Sequence, residues 1–144
     1  MRIVIMDAQG GGLGKLLVAG LKKAFPEQEL ICVGTNAMAT AAMLRAGADR
    51  GATGENAVLL CAREADIIAA PLGMVLADAM LGEVTAEMAR AVGQSRAQRV
   101  LVPVGRCDTV IAGTPRLSMQ EAADAAVREI AKLMGDEIQK KYTP

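Results

Sequence analysis

Four glycines occupy five consecutive positions in the segment Asp7-Ala8-Gln9-Gly10-Gly11-Gly12-Leu13-Gly14-Lys15. Glycine lets a backbone turn sharply, and lets an anion reach amide groups that a Cβ would shield. Where such a turn opens a helix, the unpaired N–H groups and the helix dipole together favour a phosphate. The segment therefore has the composition of a phosphate-cradling loop. A tight turn that binds nothing is the plainer reading, but one glycine would serve for that.

Two phosphate motifs compete for this loop. A dinucleotide fingerprint wants glycines at relative positions 0, 2 and 5. Gly11 and Gly14 supply the second and third, and Gln9 stands in the place of the first. A P-loop wants Gly-Lys followed by Ser or Thr to hold magnesium. Gly14-Lys15 match, but Leu16 cannot be a ligand, and phosphoryl transfer depends on that ion. The dinucleotide reading is the better one, with Gln9, Gly10, Gly11, Gly12, Leu13, Gly14 and Lys15 as candidate contacts. About twenty residues further on, where an acid would grip the ribose of NAD, stand Gly34, Thr35 and Asn36. These neutral groups complete the candidate cofactor site. They favour NADP slightly over NAD, although Asn36 would serve equally as the cap of a following helix.

Candidate catalytic groups are few. Asp7 directly follows the first apolar run and could bind a ribose hydroxyl or hold a water, or merely bond the turn's own backbone. Cys107, in Arg106-Cys107-Asp108, has an arginine neighbour that would favour its thiolate. Cys32 and Cys61 sit in apolar runs and read as small buried hydrophobes. The chain has no histidine and no Cys-x-x-Cys, so the usual zinc ligands and any His-based triad are missing. No metal site is expected. Tyr142, the single tyrosine, lies two residues from the end and cannot form the Tyr-x-x-x-Lys of a short-chain dehydrogenase.

The elements that must position these groups alternate between strand and helix. Strands are expected at Ile3–Met6, Leu30–Val33, Asp66–Ala70 and Arg99–Val104. Helices are expected at Gly14–Phe25, Met38–Ala46 with Gly47 as its stop, and from a Thr53 cap to Arg63. A helical region from Gly73 should break at Gly82 and restart near Thr85, continuing to Gln94. Asp49–Gly54 reads as a glycine-rich connection. Thr109–Ala112 reads as a fifth strand, joined by a link too short for a parallel crossover and hence an antiparallel edge. Ser118-x-x-Glu121 is a capping-box spacing that opens a last helix to about Met134. The pattern implies a three-layer, Rossmann-like α/β domain over residues 1–144, with a mostly parallel sheet of about five strands and helices on both faces. Ligands of such sheets bind at the carboxyl ends of the strands.

Composition narrows the partners. The chain has 144 residues, 16 basic and 16 acidic, with 52% hydrophobic residues but one Phe, one Tyr and no Trp. Zero net charge and few stacking rings argue against nucleic acid. The longest apolar stretch, 67–81, is interrupted by Pro71, Gly73 and Asp78, which argues against a membrane span. A cytoplasmic location is expected, and the apolar content with nine Met points to a homo-oligomer.

Several segments together resemble a family of short bacterial Rossmann-like proteins known as a domain of unknown function. They are Ile-Met-Asp-Ala-Gln-Gly-Gly-Gly-Leu-Gly-Lys at 5–15, Gly-Thr-Asn at 34–36, Gly-Ala-Thr-Gly-Glu-Asn-Ala at 51–57, Met-Leu-Gly-Glu at 80–83 and Val-Pro-Val-Gly-Arg-Cys at 102–107. The resemblance implies the fold and carries over no catalytic residues. Three functions are open at this point. The first is a small nucleotide-binding sensor or accessory module, taking a dinucleotide of the NADP or NAD type. The second is a small reductase or transferase using the crevice, and the third a structural subunit with no ligand.

Overall fold

The computed structural model describes residues 1–104 and 108–142, with the backbone alone for 137–142. Five strands form one parallel sheet: β1 Ile3–Asp7, β2 Leu30–Gly34, β3 Arg50–Thr53, β4 Ile67–Pro71 and β5 Gln98–Val102, in the order β3-β2-β1-β4-β5. The helices are α1 Gly12–Ala24, α2 Ala37–Arg45, α3 Glu55–Glu64, α4 Ala86–Gln94 and α5 Met119–Tyr142. The strand order reverses between β1 and β4, so the carboxyl ends of these two strands frame a crevice.

The period of two along the central strands explains the layers. Ile3, Ile5, Ile67 and Ala69 face one core, packed with Leu17 and Leu21 of α1, Met43 of α2 and Ala123 and Ile130 of α5. Val4, Met6, Ile68 and Ala70 face the other, against Val58 and Ala62 of α3 and Met88 and Val92 of α4. A strand buried on both faces has no polar side to show, which is why β1 and β4 read as continuous apolar runs.

Three expectations are corrected. The sheet has no antiparallel edge, since Thr109–Ala112 is irregular and runs into a turn at Gly113 with φ +76°. Val110 is 86% exposed there, so its β-branched side chain packs on no sheet. The fifth strand is instead Arg50–Thr53, the glycine-rich connection, lying parallel beside β2. It passes close beneath α2: a Cβ on Gly51 would come within 3.0 Å of Cys32 Sγ and 3.1 Å of Leu44 Cδ1. Glycine there is a packing requirement rather than a loop signal. Third, the region from Gly73 is no α-helix but a single 3₁₀ turn, Leu72–Val75, followed by a looped strap to Val84.

Smaller differences lie at the ends. Gly54, at φ +101°, stands at the N-cap of α3 in place of Thr53, whose hydroxyl pairs with that of Thr40 at 2.7 Å. The last helix runs past Met134 to Tyr142. Asn36 and Thr85 do cap their helices, accepting from Ala39 N and Met88 N. Ser118 Oγ accepts from the Glu121 amide at 3.1 Å, as its spacing predicts.

Candidate functional site

The glycine segment leaves β1 at Asp7 and turns into α1 within four residues, Ala8–Gly11. Gly11 N donates to Ala8 O at 3.0 Å, closing the turn, and Gly11 takes φ +71°. Gln9, in the place of the fingerprint's first glycine, itself adopts φ +50°. The loop thus has the left-handed backbone that a glycine would adopt freely, held with a side chain. Gly14 meets the third glycine's requirement of close helix–strand approach. A Cβ on it would lie 2.5 Å from Met43 Sδ and 3.0 Å from Asp7 Cβ. Gly11 is needed against α2, where a Cβ would come within 3.0 Å of Ala39 backbone atoms. Gly10 faces open space and Gly12 the Met119 side chain, and among the described residues neither amide has an intramolecular acceptor.

Asp7 is buried, at 4% exposure. Its carboxylate accepts from Ala8 N at 2.8 Å and Gly14 N at 2.7 Å, so it binds the turn and the first turn of α1. Burial pushes its pKa up, the amides of Gly14, Ala8 and Leu13 pull it down, and the nearby charge of Glu83 raises it again; the net direction is upward. This is the backbone-bonding role open to an Asp in that place. Cys107, the other catalytic candidate, lies outside the described residues. Cys32 is buried, and desolvation lifts its thiol to about 11. Cys61 is half-buried, also raised first by burial and then by Glu64. Neither has the lowered pKa of a reactive thiolate. Lys15 is exposed on the first turn of α1.

Gly34, Thr35 and Asn36 are brought beside the glycine loop. Thr35 N donates to Asp7 O at 3.0 Å, and Asn36 Nδ2 donates to Gln9 O at 2.9 Å. A residue that sequence reasoning passed over joins them. Glu83, from the strap after β4, accepts through one oxygen, Oε1, from Gln9 N at 2.8 Å, Thr35 Oγ1 at 2.8 Å and Asn36 Nδ2 at 2.7 Å. It is separated from Thr35 by 48 residues, and the local signs were Gly82, read as a helix break, and the segment Met-Leu-Gly-Glu at 80–83 in the family resemblance, which assigned Glu83 no role. Desolvation raises the pKa of Glu83, but the three bonds outweigh it and hold the carboxyl below its ordinary value.

A sign follows for pH. A lowered folded-state pKa gives stability that is full above the unfolded value of about 4.5 and is lost as pH falls through the folded value. Glu83→Gln should therefore be less stable than the wild type at neutral pH, with the gap closing in acid. Urea melts of both proteins across that range test it; a gap that widens in acid contradicts the assignment.

At the carboxyl ends of β1 and β4 lies a cleft of about 140 Å³, bounded by the loop residues Gln9, Gly10 and Gly12 and by apolar Pro71, Met80 and Met119. Larger depressions exist, one of about 380 Å³ between α3 and α4 and one of about 450 Å³ around Phe25 and Pro26. Neither includes the glycine loop, so the chemistry and not the volume selects the site. Among the described residues no three His, Cys, Asp or Glu side chains come together to hold a metal. No helix among them is long and apolar enough to cross a membrane.

The family model titled Domain of unknown function (DUF3842) matches residues 2–135, and the chain belongs to that family. No curated protein matches the sequence. Among solved structures, the chain is similar to a dodecameric FMN-dependent Ubix-like decarboxylase from Escherichia coli O157:H7. The identity is 17% over 90% of this chain and 76% of that one, with a TM-score of 0.43.

Proposed function

We propose that this member of a family of unknown function is a nucleotide-binding module. It takes a dinucleotide of the NAD(P) type at the glycine loop and acts as a sensor or accessory subunit. The observation that carries the reading is the pair of Gly10 and Gly12 amides without intramolecular acceptors, at the N-terminus of α1, on the rim of the cleft at the strand-order reversal. The cleft's 140 Å³ is well below the ~300–1,000 Å³ of a site that encloses a whole ligand. A phosphate group suits it, and the adjoining nucleoside would lie at the end of β2 beside the strap that carries Glu83. The apolar content of the chain, with Leu81 fully exposed, keeps a homo-oligomer within this proposal. Sedimentation as a monomer at micromolar concentration would remove it.

A thermal-shift panel of NADP, NAD, FAD, ATP and coenzyme A tests the reading. A ligand at about 100 times its dissociation constant adds about 2.7 kcal/mol, a rise of several degrees. Gly12→Val is the control. A Cβ at Gly12 meets only the flexible Met119 side chain, at 3.6 Å, and the backbone φ is not left-handed. The variant should fold, fill the phosphate end of the cleft and lose the shift. No shift with any member of the panel would leave the loop an ordinary turn and the protein a structural subunit. Turnover of a bound dinucleotide, abolished by Cys107→Ser with binding unchanged, would support the small-enzyme alternative.

A further inference from the structure

From the placement of Glu83, and resting on the nucleotide-binding reading above, we propose that this carboxylate is the ribose-hydroxyl acceptor of the site. It makes the site select a dinucleotide with a free 2′-hydroxyl against its 2′-phosphorylated counterpart. The end of β2 carries no acid of its own, and Thr35 and Asn36 are neutral. The fold delivers one from elsewhere in the chain. Glu83 Oε1 is held by the Gln9 amide, the Thr35 hydroxyl and the Asn36 side-chain amide. These donors belong to the glycine loop, the end of β2 and the N-cap of α2, and in a dinucleotide-binding sheet the acid that bonds the ribose stands about twenty residues beyond the glycine loop, the place of Thr35 and Asn36 here. All three bonds fall on Oε1, and among the described residues Oε2 makes none, which leaves it to accept from a ligand hydroxyl.

The strap fixes that carboxylate in place. Ala79, Met80 and Val84 are buried in the core beneath it. Asp78 N donates to Val84 O at 2.8 Å and Val84 N to Ala79 O at 3.2 Å, closing the loop on itself. Asp78, Met80, Leu81 and Gly82 all have φ between +56° and +85°, a run of left-handed residues that holds only where its surroundings determine it. Charge supplies the selectivity. No Lys or Arg pairs with Glu83 among the described residues, and its charge is felt by another carboxyl, that of Asp7. A 2′-phosphate would bring a further negative charge to an uncompensated one, where a site built for it would place an arginine.

Calorimetric titration of NAD and of NADP into the wild type, Glu83→Gln and Glu83→Arg decides the matter. Wild type should bind NAD at least tenfold more tightly than NADP, since a hydrogen bond to a charged acceptor is worth about a factor of ten or more. Glu83→Gln should narrow that ratio, and Glu83→Arg should invert it, with each variant's unliganded melt confirming that it folds. Equal or tighter binding of NADP by the wild type, or a ratio unchanged in both variants, overturns the role of Glu83 and leaves the binding module standing. Tighter binding of both ligands by Glu83→Gln also overturns it, since the carboxylate would then be competing for the site. If neither NAD nor NADP binds any of the three proteins, the NAD(P) reading and this inference fall together.

Discussion

Gly34→Ala should cost the protein far more stability than the same methyl group added at Gly93. A Cβ on Gly34 would fall on the hydroxyl of Thr40, 2.6 Å from Thr40 N and 2.7 Å from Asn36 O. Two of those three atoms are backbone, in the first turn of α2, and cannot swing aside as a side-chain end would. Gly34 also closes the register there. Its N–H donates to Thr40 Oγ1 at 3.2 Å and its carbonyl accepts from Gly54 N at 2.9 Å, so displacing it loosens α2, β3 and the start of α3 together. Overpacking against side chains costs about 1–3 kcal/mol, and against fixed backbone the expected loss is above about 3 kcal/mol. That is a large part of the roughly 5–15 kcal/mol that holds a domain together, and a fall in melting temperature of about 10 °C or more. Gly93→Ala adds the same methyl group inside α4, where nothing lies within 4 Å. It should stabilise the protein by about 0.5–1 kcal/mol through helix propensity. If both variants melted within a degree or two of the wild type, the close approach of α2 to the end of β2 would be wrong.

The contrast between those glycines shows what could and could not be read from the chain. The strand–glycine–helix start was legible because β1 is buried on both faces and the turn needs residues without Cβ. β4 and the capped helices were legible for similar local reasons, as hydrophobic period and cap chemistry are sequence-near properties. β3 was not. Arg50–Thr53 is largely exposed, so no apolar pattern marks it, and it exists because the open edge of β2 offers backbone partners. Thr109–Ala112 misled in the opposite sense, having β-branched residues but no strand beside it to pair with. At the candidate site, the roles of Gly14 and Asn36 followed from spacing and capping. The left-handed Gln9 did not, since nothing in a glutamine announces φ > 0. Glu83 stands in one of the segments that carry the family resemblance, but its role was not legible, for a different reason. Its contacts span 47, 48 and 74 residues, and only the order of the strands brings the strap after β4 over the ends of β1 and β2.

Asp7→Ala should show that the glycine loop is held from within by a carboxylate. The variant leaves the amides of Ala8 and Gly14 without their acceptor. Each buried, unpaired donor costs about 1–3 kcal/mol, and a negative group at the N-terminus of α1 adds about 0.3–1 kcal/mol that is lost with it. Against this stands relief from burying a charge, the same effect that raises the pKa of Asp7. The amide bonds number two and are short, so the net expectation is a loss of about 2–4 kcal/mol. Asp7→Asn should lose less, since its amide oxygen can still accept from one of the two donors. The pH dependence has a definite sign. With its folded pKa raised, Asp7 binds its proton more tightly in the folded than in the unfolded state. Its contribution is therefore greatest below the ordinary value of 3.8 and declines as pH rises through the folded value. The wild type's advantage over Asp7→Ala should accordingly shrink as pH rises through that window, opposite in direction to the behaviour of Glu83→Gln. Two neighbouring carboxylates with opposite slopes can be separated by melting the two variants side by side. Asp7→Ala as stable as the wild type at every pH would mean that the glycines alone hold the turn and that the carboxylate beneath them is incidental.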